Sequence, residues 1–275
     1  MTGWVDELVA SSAYREWAPN RPWQAAQEER HVFFMHYEAD PDQVRAVVPS
    51  QLDLELYGGT VYIGVAALEV RKARLRNLRL PSWWRSFPEV DLMAYVSYEG
   101  RRGVFFLSIE SHRRLFSLGT RWGMGLPYLY SGLVIAHETG SPPRHHVTSG
   151  PRPNEGGPMA SLDLTYEARP ELAGRDPHSP ILPLLSQYSA FVVNLAGRVC
   201  ELDEVHADWQ PVEAEVEVRS NTLGEALGID LPPEPTLAHY AATRRVITWL
   251  PKVVEPGRPG LAPTEPRDRD GARAR

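Results

Sequence analysis

Short apolar and aromatic segments separated by tight turns recur along most of this 275-residue chain. Two of the turns, Gly58-Gly59 and Gly100-Arg101-Arg102-Gly103, are short enough to join neighbouring strands as antiparallel hairpins. Alternating βαβ units would need crossover connections of a dozen or more residues instead. The pattern therefore predicts an α+β, β-rich fold with a largely antiparallel sheet or barrel and a few peripheral helices.

The predicted elements begin with an aromatic strand over 32–37. Asp40 followed by Pro41 is typical of a helix N-terminus, so a short helix is expected to begin there and to end at Val47, before Pro49. The remaining predicted strands are 52–57, 61–69, 90–98, 104–109, 133–138, 161–167, 190–196, 212–218 and 245–250.

Composition shifts divide the chain into three parts. Residues 1–22 predict an N-terminal helical arm, because their aromatic residues are spaced about one helical turn apart and a proline turn follows them. Residues 23–254 are expected to form a single domain, in which the Pro- and Gly-rich segment 140–157 is a long exposed loop. Residues 255–275 have the composition of a disordered tail.

Charge and cysteine content exclude several classes of function. The net charge of −6 and the pI near 5.9 argue against a nucleic-acid-binding protein. The lone Cys200 forms no internal disulfide and fits a reducing compartment. Neither a secretory signal nor an apolar run long enough to span a membrane occurs, so we expect a cytoplasmic protein with no membrane partner. A homo-oligomer that binds a small molecule is the expected state.

The common catalytic and metal-binding motifs are absent from the sequence. It has no dinucleotide-binding glycine motif, no phosphate-binding loop and no serine-hydrolase elbow. His137 lacks a second histidine four residues further on, and His145 and His146 are adjacent residues whose side chains diverge. We therefore expect no cofactor and no metal site.

Three segments carry candidate site residues, each with a structural alternative. Glu89 and Asp91 share one face of a predicted strand, as cavity carboxylates or as a solvent-facing pair at its rim. The segment 121–130 combines glycines with large aromatics, which suits a pocket wall or a core turn. His206, close to Trp209, is a cavity histidine or a structural one.

These segments also carry a family resemblance, which covers about residues 23–254. The motifs are 34–37 ahead of Asp40-Pro41, 87–89, 125–128, 205–209 and 221–223. On them the chain is identified as a member of the YqjF-like family of unknown function. That family resembles in turn the acetoacetate decarboxylases, whose fold is a β-rich, cone-like barrel around a central cavity.

The resemblance to the decarboxylases implies specific site residues. Their arginine ahead of the aromatic strand corresponds to Arg30, and a strand glutamate is replaced here by Gly64. Their second glutamate matches Glu89, and their arginine ahead of the lysine motif matches Arg121.

The lysine motif itself is altered in this chain. The decarboxylase Gly-Phe-Pro-Lys-Lys motif reads Gly125-Leu126-Pro127-Tyr128-Leu129, so both lysines are missing. Neither Lys72 nor Lys252 lies near the motif. Tyrosine and leucine form no imine, so we expect no Schiff-base decarboxylation.

Two functions and one structural alternative remain open. The first is an enzyme doing lyase, hydration or isomerisation chemistry on a small carboxylate or carbonyl compound, with Glu89 as acid or base, Tyr128 as oxyanion donor and Arg121 or Arg30 holding an anionic group. The second is a non-catalytic protein that binds a small molecule in the same cavity. The third is a structural Arg121–Glu89 ion pair without a ligand. Further predicted substrate-binding residues are His36, Trp84, Tyr130 and His206.

Overall fold

The computed structural model describes residues 3–140, 142–150, 160–172, 181–185, 187–207 and 209–254. The helices in these ranges are α1 (Trp4–Val9), α2 (Ser12–Trp17), α3 (Pro41–Val47), α4 (Arg114–Met124) and α5 (Ile181–Leu185), with 3-10 turns at Ser82–Trp84, Pro170–Leu172 and Glu225–Leu227. The strands are β1 (Ala25–Ala39), β2 (Asp53–Leu54), β3 (Val61–Leu75), β4 (Phe87–Tyr98), β5 (Arg101–Ser111), β6 (Tyr128–Tyr130), β7 (Val134–Glu138), β8 (Arg144–Ser149), β9 (Leu162–Ala168), β10 (Ser189–Val193), β11 (Val199–His206), β12 (Val212–Asn221), β13 (Leu237–Thr248) and β14 (Lys252–Val253).

Seven strands pair in a closed circuit, in the order β11-β10-β5-β4-β3-β1-β13 and back to β11. Most of the pairings are antiparallel, which confirms the prediction of a largely antiparallel, β-rich fold. The circuit is not a clean barrel, because β10 and β5 pair in parallel over only two residue pairs. From β13 the sheet also continues outward through β12, β9, β8 and β7.

Strand β1 forms long ladders with both of its neighbours in the circuit, β3 on one side and β13 on the other. Its register against β3 shifts between Arg30 and Phe33, where His31 has a φ of 50°. A bulge of this kind re-aims the side chains that follow it. As a result Val32 belongs to the apolar cluster inside the circuit, and Phe33 to the larger core beneath the β12–β7 extension.

The predicted helix over 41–47 is confirmed as α3, with the Asp40 side chain accepting a hydrogen bond from the Asp42 backbone N–H at 2.8 Å. The N-terminal helices α1 and α2 pack on the outside of the circuit, where Val5 and Leu8 bury themselves with Trp249. Within the described part of the chain, no helix has the length and apolar content needed to cross a membrane.

The prediction that 140–157 is an exposed loop is wrong for its middle part. Residues Arg144–Ser149 form β8, which pairs with β7 and β9. Alternate residues of β8 are buried, and this two-residue alternation inside a Pro- and Gly-rich segment is the signal that its composition obscured. Strand β11 and helix α4 were also not predicted. Residues 151–157 and the predicted tail over 255–275 lie outside the described residues.

Candidate active site

A small cavity of about 70 Å³ lies inside the circuit of strands. Each of the seven strands contributes to its wall, and α5 closes one side. Most of the wall is apolar: Val32, Phe34, Ala66, Leu68, Met93, Val104, Phe106, Leu184, Leu185, Ala190 and Trp209. Four ionisable groups face the same space: Glu29, Asp91, Glu204 and Arg244. The arrangement is that of a ligand pocket, mostly apolar with a few convergent polar groups.

Glu89 and Asp91 lie on the same face of β4, as strand alternation predicts, and both are only 6% exposed. Their burial excludes the alternative of a solvent-facing pair. Asp91 lines the cavity, and its Oδ1 atom is buried without a hydrogen-bond partner among the described residues. Glu89 lies beside it and accepts a 2.5 Å hydrogen bond from the Tyr128 hydroxyl.

A single arginine balances the carboxylates of the cavity. Arg244 on β13 donates through Nε to Glu29 at 2.7 Å, and its Nη1 lies 2.9 Å from a carboxylate oxygen of Glu204. Its guanidinium carbon lies 4.3 Å from the ring centroid of Trp209. Two carboxylates already neutralise the charge of Arg244, and an aromatic ring covers one of its faces. Arg244 is therefore poorly placed to bind an anionic ligand.

Burial raises the pKa of Glu89 to about 8, with the nearby Glu29 and Glu204 charges adding to the rise and the Tyr128 hydrogen bond opposing it. Burial and the neighbouring Glu89 carboxylate raise the pKa of Asp91 well above its usual range. Burial also raises the pKa of Glu204, against the attraction of Arg244. At neutral pH a pKa of about 8 leaves Glu89 mostly protonated, and the raised pKa of Asp91 favours its protonated, acid form.

At two positions this chain lacks the residue that the decarboxylases have, and in both places other side chains fill the space. Tyr128 stands where the motif has its first lysine, and burial together with Glu89 raises its pKa, so that it is a neutral donor. At Gly64 an added Cβ would lie 2.9 Å from the Tyr95 hydroxyl. That hydroxyl is 2.7 Å from Nε2 of the buried His36. The Tyr95–His36 pair fills the space that a glutamate side chain at position 64 would need.

His36 is thus a neighbour of the cavity through Tyr95, which lines it. Burial lowers the pKa of His36 to about 3, so its ring is neutral. It is fully buried and is not among the residues of the cavity wall.

Two predicted cavity arginines are not in the cavity. Arg30 is exposed and donates through Nε to Glu28 at 2.5 Å. It lines a second, neighbouring pocket, which Trp209 and Arg244 also line. Arg121 is exposed in the last turn of α4, so the structural alternative of an Arg121–Glu89 pair is wrong as well. The arginine that lines the cavity is Arg244, which lies more than 120 residues after Arg121 in the sequence.

His206, Trp84 and Tyr130 also lie outside the cavity wall. The ring of His206 lies within hydrogen-bond distance of the backbone carbonyls of Ala207 and Gln187, at 2.8 and 3.0 Å, which favours its structural interpretation. Trp84 is half-buried and Tyr130 half-buried on β6. A chain of ring contacts joins Trp84 to the site, since Phe116 meets it edge-on at 6.3 Å and meets Tyr128 edge-on at 5.3 Å.

The fold is similar to that of solved acetoacetate decarboxylase-like enzymes. The enduracididine biosynthesis enzyme MppR complexed with pyruvate superposes with a TM-score of 0.58 at 15% identity, over 86% of this chain and 92% of that one. Acetoacetate decarboxylase from Legionella pneumophila gives a TM-score of 0.55 at 16% identity, over 93% of this chain and 96% of that one. An acetoacetate decarboxylase-like enzyme from Sphingomonas wittichii RW1 gives 0.57 at 14%, over 86% and 94%.

The chain belongs to the DUF2071 family of uncharacterised conserved proteins, whose model matches residues 26–245. It is 30% identical over 233 residues to the uncharacterised protein YqjF of Bacillus subtilis (strain 168), covering 84% of this chain and 93% of that protein. The family predicted from the sequence motifs is therefore confirmed.

Proposed function

We propose that this protein is an enzyme that transfers a proton to or from a small uncharged carbonyl compound, using the buried carboxyl groups of the cavity. The observation that carries the proposal is Asp91, a buried carboxyl group at the cavity wall with one oxygen unpartnered among the described residues. A polar atom left in that state costs free energy unless a ligand satisfies it.

The site supports a division of roles among its carboxyl groups. Asp91 donates a hydrogen bond, and then its proton, to the carbonyl oxygen of the substrate. Glu204 lines the same cavity and, with its raised pKa, accepts a proton from the neighbouring carbon. Glu89 lies beside Asp91 and, held by Tyr128, keeps that region uncharged. The products are the protonated Glu204, the Asp91 carboxylate and an enol, from which isomerisation, dehydration or lyase chemistry proceeds.

Charge and size select the substrate class. Arg244 is paired with two carboxylates, and no other arginine or lysine is among the described residues of the cavity wall. A carboxylate substrate would therefore meet an acidic cavity. A volume of about 70 Å³ holds roughly five water molecules at ~10–15 Å³ each, so a compound of only a few heavy atoms fits.

Imine chemistry has no support in this site. The sequence has two lysines, Lys72 and Lys252, whose side chains are 53% and 44% exposed. Each lies outside the cavity wall and pairs with a carboxylate, Lys72 with the buried Glu28 at 3.2 Å and Lys252 with Asp203 at 3.2 Å.

The test is deuterium exchange into small ketones and aldehydes in D₂O, followed by NMR. Wild-type protein should exchange α-protons of uncharged compounds and leave those of carboxylate-bearing analogues alone. Asp91→Asn should lower the exchange rate by about 100-fold or more, the usual contribution of a general acid. The matched control Asp163→Asn changes a carboxylate on an exposed face and should leave the rate unchanged.

A non-catalytic binding protein using the same cavity is favoured by one observation, the large apolar share of the wall. The two functions give different results in this test. A binding protein would protect or shift ligand signals without exchange, and Asp91→Asn would change its affinity only. Exchange at equal rates in wild-type protein and Asp91→Asn would contradict the enzyme.

A further inference from the structure

Three histidines far apart in the sequence meet on the outside of the strand circuit. His31 lies on the bulge of β1, and His137 and His145 face each other across the β7–β8 pair. One ring nitrogen from each of the three lies within 4.8 Å of the others. We propose that this cluster is a binding site for a transition-metal ion of the zinc type.

The donor chemistry fits such an ion. Imidazole nitrogen is a common ligand of zinc, at a distance of about 2.0–2.1 Å, which places two ligands of a tetrahedral ion about 3.3 Å apart. Nδ1 of His137 lies 2.7 Å from Nδ1 of His145, in the arrangement of a hydrogen bond. Separating the two rings by roughly 0.6 Å admits an ion between them.

Neighbouring groups already hold two of the rings by their other nitrogen. Nε2 of His137 lies 3.3 Å from a carboxylate oxygen of Glu69, and Nδ1 of His31 lies 3.0 Å from the hydroxyl of Tyr240. Carboxylate and hydroxyl partners of this kind orient metal-binding histidines and fix their tautomer. Each of these two rings therefore has its second nitrogen available for a ligand bond.

His145 is the most deeply buried of the three histidines. It is 1% exposed and stacks on Tyr166 with ring centroids 4.7 Å apart, yet its Nε2 atom is buried without a hydrogen-bond partner among the described residues. Nδ1 of His145 is the nitrogen that faces His137 and would bind the ion, and the packing of the ring on Tyr166 holds it in that orientation.

The site is accessible and separate from the carboxyl cavity. The side chain of His137 is 35% exposed, so an ion can enter from solvent and a water molecule can fill a fourth position. On β3, Leu68 lines the cavity and the next residue, Glu69, faces the histidines, because successive side chains of a strand point to opposite faces. The metal proposal is therefore independent of the proposed proton transfer.

The expectation of no metal site rested on spacing along the sequence. His137 and His145 are eight residues apart, and His31 lies more than a hundred residues before them. The three meet only because β8 forms within the segment predicted as a loop and because the bulge re-aims His31. His146 points to the other face of β8, where it contacts Asp163 and Arg219 at 2.9 and 2.8 Å.

The test uses full-length protein without a polyhistidine tag, stripped with a chelator and titrated with Co²⁺, whose visible absorption reports its coordination. Wild-type protein should bind one equivalent with the intense bands of a four-coordinate site, and one equivalent of Zn²⁺ should abolish them. His137→Gln and His31→Gln should each weaken binding by about 100-fold or more, since even second-shell losses cost 10–100-fold.

The control His146→Gln changes a histidine on the same strand and should leave the titration unchanged. Circular dichroism and thermal midpoints of the metal-free variants establish that each is folded; His137 and His31 are not fully buried, so both substitutions are expected to be tolerated. Wild-type protein that binds no Co²⁺ at millimolar concentration would overturn the proposal. So would a His31→Gln/His137→Gln double variant that binds as tightly as the wild type.

Discussion

The hydroxyl of Tyr128 donates a 2.5 Å hydrogen bond to Glu89, at the position where the decarboxylase motif would place its reactive lysine. A neutral donor beside a largely protonated carboxyl group replaces an amine there. No lysine ammonium lies beside Glu89 and Asp91 at this position, and burial raises the pKa of both carboxyl groups.

Replacing Tyr128 by phenylalanine removes the one contact that the structure shows lowering the pKa of Glu89 through a hydrogen bond. The donor stabilises the carboxylate form, so in Tyr128→Phe the pKa of Glu89 should rise above its value of about 8. Carboxyl ¹³C chemical shifts followed against pH would measure it. A pKa that falls or stays the same would show that the hydrogen bond does not stabilise the charged form.

The raised pKa of Glu89 should make the protein less stable as pH increases. The folded pKa of about 8 exceeds the ordinary glutamate value of 4.5, so the folded state binds more protons than the unfolded state between these two values. The contribution is fully present below pH 4.5 and is lost as pH rises through 8, at up to about 1.4 kcal/mol per pH unit.

Urea unfolding of wild-type protein and Glu89→Gln at pH 5, 7 and 9 checks this dependence. The stability of the wild type relative to the variant should fall steadily over that series, because glutamine does not titrate. Two parallel stability curves would mean that Glu89 does not take up a proton on folding.

Arg244 and Arg245 are adjacent on β13 and should respond very differently to substitution by methionine. The side chain of Arg244 is 15% exposed and balances Glu29 and Glu204, whereas that of Arg245 is 43% exposed and pairs with the exposed Glu7. Arg244→Met leaves buried carboxylates uncompensated and should cost about 3–5 kcal/mol. Arg245→Met should change the free energy of unfolding by less than about 0.5 kcal/mol. Equal costs would contradict the role assigned to Arg244.

Gly64 should tolerate no side chain. A Cβ there would lie 2.9 Å from the Tyr95 hydroxyl and 3.1 Å from Cγ of Met93, so Gly64→Ala should destabilise the fold by about 1–3 kcal/mol. The exposed helical Gly119 has open space around it, and Gly119→Ala should stabilise by about 0.4–1 kcal/mol. Thermal unfolding of the two variants should therefore give shifts of opposite sign; a neutral Gly64→Ala would show that position 64 has room for a larger residue.

Local sequence patterns predicted the parts of the site that are local in sequence. Glu89 and Asp91 share a face because strand alternation places them there, and Tyr128 was found through its motif. Arg244 and Glu204 could not be predicted in this way, because they reach the cavity only through the pairing of β11 with β13, which closes the circuit. Nothing within ten residues of either one indicates that its partner is the other.

Arg121 was predicted at the cavity but lies on the surface. The segment 121–130 suits a pocket wall or a core turn, but its first residues belong to the amphipathic helix α4. Helical periodicity then directs Arg121 outward, although it is only seven residues from Tyr128 in the sequence. The direction of a side chain depends on the element that carries it, and α4 had not been predicted.

The most direct test of the account is the pH dependence of α-proton exchange catalysed by the wild-type protein. If protonated Glu89 and Asp91 provide the acid form of the site, the exchange rate should be constant at neutral pH and should fall as pH rises through about 8. The decline should be absent from the residual rate of Asp91→Asn. A wild-type rate that instead rises continuously with pH, in parallel with that of the variant, would contradict proton transfer by these buried carboxyl groups.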